Sequence, residues 1–272
     1  MNKRVMAVLI TAAVICVATI FSGSVIWYKF VQCEEMQNKE IDQLTEDVNC
    51  LKAEINSLKN LDDDAEDSNT GFGYLAIGNS ITWHGIADYW WNEIGMAASS
   101  ADKDYVHRVV SYLQDQYGQV NYNAYNFYVW EVQGADRAET LQLLDEYLDE
   151  KLNLVTIQLG ENVTDMETFE TDYEELIRYV QQKAPEAQII VVDEFWRDDN
   201  KSAQKVEAVN NTGVQFVNLD EIKEKAEYQC GIGTMVYDFY GGGYIVEHEG
   251  VAKHPGDKGM EYIADGIISK LK

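Results

Sequence analysis

Tyr74-Leu75-Ala76-Ile77-Gly78-Asn79-Ser80-Ile81-Thr82 decides how the rest of the chain is read. An apolar run with the length of a buried strand stops at Gly78, which permits a sharp turn, and Ser80 leaves the strand's carboxyl end. Open α/β sheets place their sites at that end. A serine there is either a nucleophile or the N-cap of a following helix. Beyond it, apolar runs alternate with helical periodicity. The pattern predicts strands over 74–78, 122–129, 153–159, 187–193 and 214–218, and helices over 101–116, 137–150, 167–183, 202–210 and 257–271. Such alternation builds βαβ units, and therefore a parallel sheet with helices on both faces.

A second stretch lies near the C-terminus. Val251-Ala252-Lys253-His254-Pro255-Gly256-Asp257-Lys258-Gly259-Met260 precedes the helical pattern Tyr262, Ile263, Ile267, Ile268, so His254 is fixed just ahead of a proline and a helix. Together with Leu159-Gly160-Glu161-Asn162 and the Ser80 block, it resembles the SGNH (GDSL-like) hydrolase family, whose four blocks carry Ser, Gly, Asn and His in that order. The resemblance runs from about Gly71 to the end. It implies a flavodoxin-like three-layer α/β/α sandwich on a five-stranded parallel sheet, and serine ester hydrolysis through an acyl-enzyme on Ser80.

By the same resemblance His254 is the base, and the oxyanion donors are the Ser80 N–H, the Gly134 N–H and the Asn162 side-chain amide. Read alone, Asn162 is equally a turn former, and Gly134, in Glu131-Val132-Gln133-Gly134-Ala135-Asp136, equally a turn glycine. The sequence departs from the family at the acid. The third residue before the histidine is usually Asp, and here it is Val251. Glu249 is a candidate replacement, with Glu247 also near; a backbone carbonyl is the alternative, leaving a Ser-His dyad. The third member fixes the tautomer and orientation of the imidazole, so its replacement lowers the rate without abolishing the chemistry.

The chain has 272 residues, 46% of them hydrophobic, enough for one full-sized globular domain and a smaller part. A formal net charge of -26 argues against nucleic acid as partner, since phosphate backbones are bound by clustered Lys and Arg. The four cysteines, at 16, 33, 50 and 230, have no metal-ligand spacing. No metal or organic cofactor is expected.

The first 70 residues divide into three parts. Lys3 and Arg4 precede a run over 5–28 without a charged residue, which ends in Trp27-Tyr28-Lys29. This reads as a single-pass signal-anchor over 1–30 in the cell membrane, with everything after Lys29 extracytoplasmic. A cleaved signal ending near Ser22–Ser24 is the alternative. A stalk over 31–60 carries Ile41, Leu44, Val48, Leu51, Ile55 and Leu58 in alternating steps of three and four. β-Branched residues at a and Leu at d favour a parallel two-stranded coil, here a homodimer through 41–58. An amphipathic helix lying on the catalytic domain shows a similar stripe. Cys33 and Cys50 fall outside the seam. Residues 61–70 form an acidic linker, and 71–272 the catalytic domain.

Trp83, Tyr89, Trp90 and Trp91 fall in the loop that leaves the nucleophile and are expected to form a platform for sugar rings or an acyl group, with burial as core the alternative. The Gly- and Tyr-rich stretch Tyr237–Tyr244 is expected to be a mobile loop forming the opposite wall, through Tyr244. His84 reads as structural, and His107 and His248 carry no signal. The expectation is a membrane-anchored esterase that removes O-acetyl or other short acyl groups from carbohydrate. The alternatives are a lipase or acyl-thioesterase with a deep apolar pocket, or a catalytically impaired carbohydrate-binding module, which Val251 keeps open.

Overall fold

The computed structural model describes residues 71–272. The signal-anchor expected over 1–30, the seam over 41–58 and the linker over 61–70 lie outside the described residues. Five strands, β1 (Phe72–Gly78), β2 (Val120–Asn126), β3 (Leu152–Gln158), β4 (Gln188–Val192) and β5 (Gln215–Val217), form one parallel sheet in the order β2-β1-β3-β4-β5. A separate antiparallel hairpin pairs β6 (Met235–Tyr237) with β7 (Gly243–Ile245). The helices are α1 (Tyr105–Tyr117), α2 (Tyr128–Val132), α3 (Arg137–Thr140), α4 (Phe169–Lys183), α5 (Asp199–Thr212), α6 (Glu249–Ala252) and α7 (Asp257–Ile268).

Alternation along the strands makes the three layers. Successive side chains of a strand point to opposite faces. Tyr74, Ala76, Leu154, Ile190 and Val192 pack on one face with Val106, Val109 and Leu113 of α1 and Met260, Ile263 and Ile267 of α7. Leu75, Ile77, Val155, Ile157, Ile189 and Val191 pack on the other with Phe169, Tyr173, Leu176 and Ile177 of α4 and Ala208 of α5. Helix boundaries follow local chemistry: the Asp104 side chain accepts from the His107 N–H to start α1, Asp198 does the same for Lys201 at α5, and Gly213 ends α5 at φ 73°.

Chain order places the site. From β1 the chain steps to β2 on one side, then returns to β3 on the other, so direction reverses between β1 and β3. Ligand crevices of open α/β sheets form at the carboxyl ends of the strands flanking such a switch point. Ser80 follows β1 there, and Asn162 follows β3.

Three expectations are corrected. β2 stops at Asn126 rather than 129, because the Asn126 Oδ1 accepts the Tyr128 N–H at 3.0 Å and turns the chain into α2. The helix expected over 137–150 is only α3 followed by a 3₁₀ turn at Leu141–Leu144, although Leu141, Leu144 and Leu148 are all buried as their spacing requires. The stretch 237–244 is closed at its base, where Tyr237 pairs with Gly243 at the ends of β6 and β7, so only 238–242 is loop.

Gly78 is the tightest point of this arrangement. A Cβ on it would meet the backbone carbonyl oxygen of Gln158 at 2.8 Å and the side chain of Thr82 closer still. Gly78→Ala is expected to cost about 1–3 kcal/mol of stability by urea denaturation, as overpacking against main chain does.

Candidate active site

Ser80 sits in a turn pinned from several sides, and no helix follows it, which removes the N-cap alternative. Asn79, fully buried, accepts the Ile81 N–H on its Oδ1 (3.0 Å), while its backbone carbonyl accepts from the N–H groups of Thr82 and Trp83, both at 3.0 Å. The Ser80 carbonyl accepts from the Met96 N–H at 2.8 Å. Among the described residues no acceptor takes the Ser80 N–H.

The Ser80 Oγ lies 2.8 Å from His254 Nε2, and His254 Nδ1 lies 2.8 Å from the Gly250 carbonyl oxygen. A carbonyl can only accept, so Nδ1 carries the proton and Nε2 presents its lone pair to the Ser80 hydroxyl. The ring is held further by the Trp196 ring, edge-on at 4.9 Å, and by the Cys230 N–H, which donates to the His254 carbonyl at 2.9 Å. Burial pushes the His254 pKa down to about 4, against the raising effect of the Gly250 carbonyl; the neighbouring His84 and His248 lower it further. The ring is therefore neutral at pH 7.

Glu249 does not reach this histidine. It is exposed on the first turn of α6, and the main chain of its neighbour Gly250 occupies the orienting position instead. Val251 is buried, with its side chain in the core beside the cavity.

Glu131 ties the site together. Its carboxylate is buried and both oxygens accept: Oε1 from Asn79 Nδ2 (3.0 Å), the Gly160 N–H (2.6 Å) and the Asn162 N–H (3.4 Å), and Oε2 from Asn162 Nδ2 (2.6 Å). An amide nitrogen has two hydrogens. One is committed to Glu131, which leaves the other free on a residue that lines the same cavity as Ser80. Gly134 is not brought to this place. It lies in a 3₁₀ turn at φ 61° with Asp165 as its near neighbour and does not line the cavity, whereas Asn126 and Tyr128 do.

The cavity holds about 550 Å³ above Ser80 and His254. Its two walls meet where Tyr89 stacks on His248, ring centroids 4.8 Å apart. Of the expected platform residues, only Tyr89 lines it. Trp90 is core at 1% exposure, taking the burial alternative. Trp83 is half-buried and its carbonyl accepts from Asn126 Nδ2 at 2.8 Å. Trp91 and Tyr244 stack on each other and line a different concavity.

Among solved structures, a protein described as a GDSL-like lipase from Bacteroides uniformis matches with a TM-score of 0.50 and 13% identity, over 74% of this chain and 95% of that one. The chain has the SGNH-hydrolase fold. Phospholipase A1 from Streptomyces albidoflavus matches at 0.49 and 12%, over 74% of this chain and all of that one. A family two carbohydrate esterase from Clostridium thermocellum in complex with cellohexaose matches at 0.48 and 17%, over 74% of this chain and 63% of that one. At these identities the likeness is one of fold. No protein-family model matches the chain, and no curated protein gives a significant match.

On this SGNH frame, sequence reading missed Glu131, Asn126, Tyr128, His84 and His248. A carboxylate inside the apolar run Phe127–Val132 was the available signal for Glu131, since such a residue is either exposed or buried with partners. The two histidines carried none, because tertiary packing brings them to the cavity. Replacing Glu131 by Gln turns one of its two acceptor oxygens into a donor, which then faces buried N–H groups. Glu131→Gln is expected to lose about 2 kcal/mol or more of stability in urea, and the exposed Glu249→Gln under about 0.5. An NMR titration of the His254 ring is expected to give a midpoint near 4, well below an ordinary histidine.

Proposed function

We propose that this chain is a serine ester hydrolase that uses a Ser80–His254 dyad oriented by the Gly250 carbonyl, and that its substrates are O-acetyl or other short acyl esters of carbohydrate. The observation that carries the reading is the continuous hydrogen-bond line from the Ser80 Oγ through both imidazole nitrogens to Gly250. A hydroxyl is a weak nucleophile until a base takes its proton, and a neutral imidazole at 2.8 Å is placed to do so.

In the acylation step, Ser80 Oγ attacks the ester carbonyl carbon while His254 Nε2 takes the hydroxyl proton. The oxyanion is met by the Ser80 N–H and the free Asn162 N–H, two donors rather than the three expected. Collapse breaks the ester C–O bond, and His254 returns the proton to the departing sugar oxygen. A water then attacks the acyl-enzyme with His254 as base, releasing the acid and restoring Ser80. A cavity of about 550 Å³ walled by Tyr89 and His248 supports a small acyl group with a ring beside it. The uncharged run over 5–28 supports placing this site outside the cell on a membrane tether; a catalytic domain found on the cytoplasmic side by protease accessibility overturns that placement.

The test is hydrolysis of a chromogenic acetate. Ser80→Ala and His254→Ala are each expected to lower kcat at least about a thousandfold with the fold intact, whereas Glu249→Ala stays within about twofold. Equal turnover in Ser80→Ala overturns the proposal, and a rate that rises steadily with acyl length overturns the short-acyl substrate. The pH dependence follows from the depressed His254 pKa. Only the neutral ring accepts a proton, so kcat/KM holds as pH falls through 6.5 and drops as it passes about 4.

A further inference from the structure

The loop between β1 and α1 has two sides. His84 and Tyr89 line the Ser80 cavity, while Ile86 and Trp91 of the same loop line a second concavity of about 880 Å³, closed by the β6–β7 hairpin. Its aromatic surface is large and open: Trp91 lies flat on Tyr244, centroids 4.6 Å apart and planes 7° apart, and Phe239 and Tyr240 at the hairpin tip are 85% and 92% exposed.

These rings are presented by an ordered turn. Asp238 Oδ1 accepts the N–H groups of Tyr240 (2.9 Å) and Gly242 (2.7 Å), its Oδ2 accepts the Tyr244 hydroxyl (3.3 Å), and Gly241 takes φ 82°. The hairpin's root is tied down as well, with Asn92 Nδ2 donating to the Tyr237 carbonyl and the Tyr237 N–H to the Ser99 carbonyl, both at 2.9 Å. Two adjacent exposed aromatics mark a surface that something else covers, and a preformed turn spares a ligand most of the ordering cost.

Charge selects the occupant. The carboxylates of Glu93, Asp102 and Asp238 stand in the same groove, Asp102 paired with Lys103 at 2.8 Å, on a chain of net charge -26. A bilayer would have to desolvate those carboxylates, anionic lipid would be repelled, and a second copy would bring the same charges. An uncharged sugar chain offers C–H faces to the rings and hydroxyls that donate to the carboxylates. We infer that this groove is a glycan-binding exosite, in which Phe239 and Tyr240 hold an uncharged polysaccharide strand while the 84–94 loop leads its acylated residues to Ser80. The inference deepens the carbohydrate-ester reading and rests on it for the link to catalysis, but binding itself is measured apart from turnover.

The test uses the full chain carrying Ser80→Ala, run by affinity electrophoresis through gels containing soluble β-glucan, mannan or xylan. At least one polymer is expected to retard it, and the Phe239→Ala/Tyr240→Ala pair added to that chain to weaken retention at least tenfold. In the chain with Ser80 present, the same pair is expected to raise KM for the acetylated form of that polymer about tenfold while leaving kcat/KM for a small chromogenic acetate within twofold, which also reports an intact fold. No retardation by any of the three polymers, unchanged retention in the paired variant, or ring-dependent co-sedimentation with phosphatidylcholine vesicles instead overturns the exosite. Retention lost with the pair in a chain that hydrolyses no ester upholds the exosite and sinks the esterase reading.

Discussion

A single buried carboxylate holds the carboxyl end of the sheet together around Ser80. Glu131 takes N–H groups from Asn79, Gly160 and Asn162, so the turn after β1, the helix after β2 and the turn after β3 converge on two oxygen atoms. Each of these turns exposes donors that the strands no longer satisfy, and in the interior an unpaired donor costs about 1–3 kcal/mol. Because all four bonds share one acceptor group, moving any turn strains the others. Ser80 and Asn162 keep their spacing for that reason, although 82 positions of sequence separate them and they follow different strands.

The proposed dyad is economical in charge. A carboxylate behind the imidazole would stabilise an imidazolium formed in the proposed reaction; a carbonyl dipole orients the ring and offers less. The depressed pKa of His254 is the ground-state sign of the same fact, with burial outweighing the Gly250 bond. Trp196 stands edge-on to the ring, and Val251 and Met96 line the same cavity together with the other two histidines, His84 and His248. The charged pairs of the interior lie elsewhere, with Lys205 on Glu194 at 2.9 Å and Lys223 on Asp193 at 2.6 Å, beyond β4.

Much of this was legible in the chain. The apolar runs gave β1, β3 and β4, since strands buried on both faces carry their signal in composition alone, whereas the exposed edge strand β2 ends three residues earlier than expected. The Ser80, Asn162 and His254 blocks stood at strand or helix ends, where short-range chemistry fixes the backbone. What failed to show was whatever depended on tertiary packing. Phe127 and Tyr128 look like strand residues and begin a helix because Asn126 turns the chain. Leu141, Leu144 and Leu148 have helical spacing and are buried, yet the backbone between them tightens into 3₁₀ geometry. Trp90 looked like a platform and is core; Gly134 looked like an oxyanion donor and does not line the cavity. His248 reaches the site through its stack on Tyr89, 159 positions earlier, which no local pattern encodes.

The atom that orients His254 belongs to the main chain, so no codon specifies it. A side-chain acid can be lost to a single base change, whereas the Gly250 carbonyl stays in place as long as the short turn of α6 keeps its pitch. Position 250 is still not indifferent, because a Cβ there would meet the His248 ring at 2.9 Å and push on the wall of the Ser80 cavity. Insertions and deletions between 248 and 254 would move the orienting carbonyl, and a side chain at 250 would move the cavity wall instead.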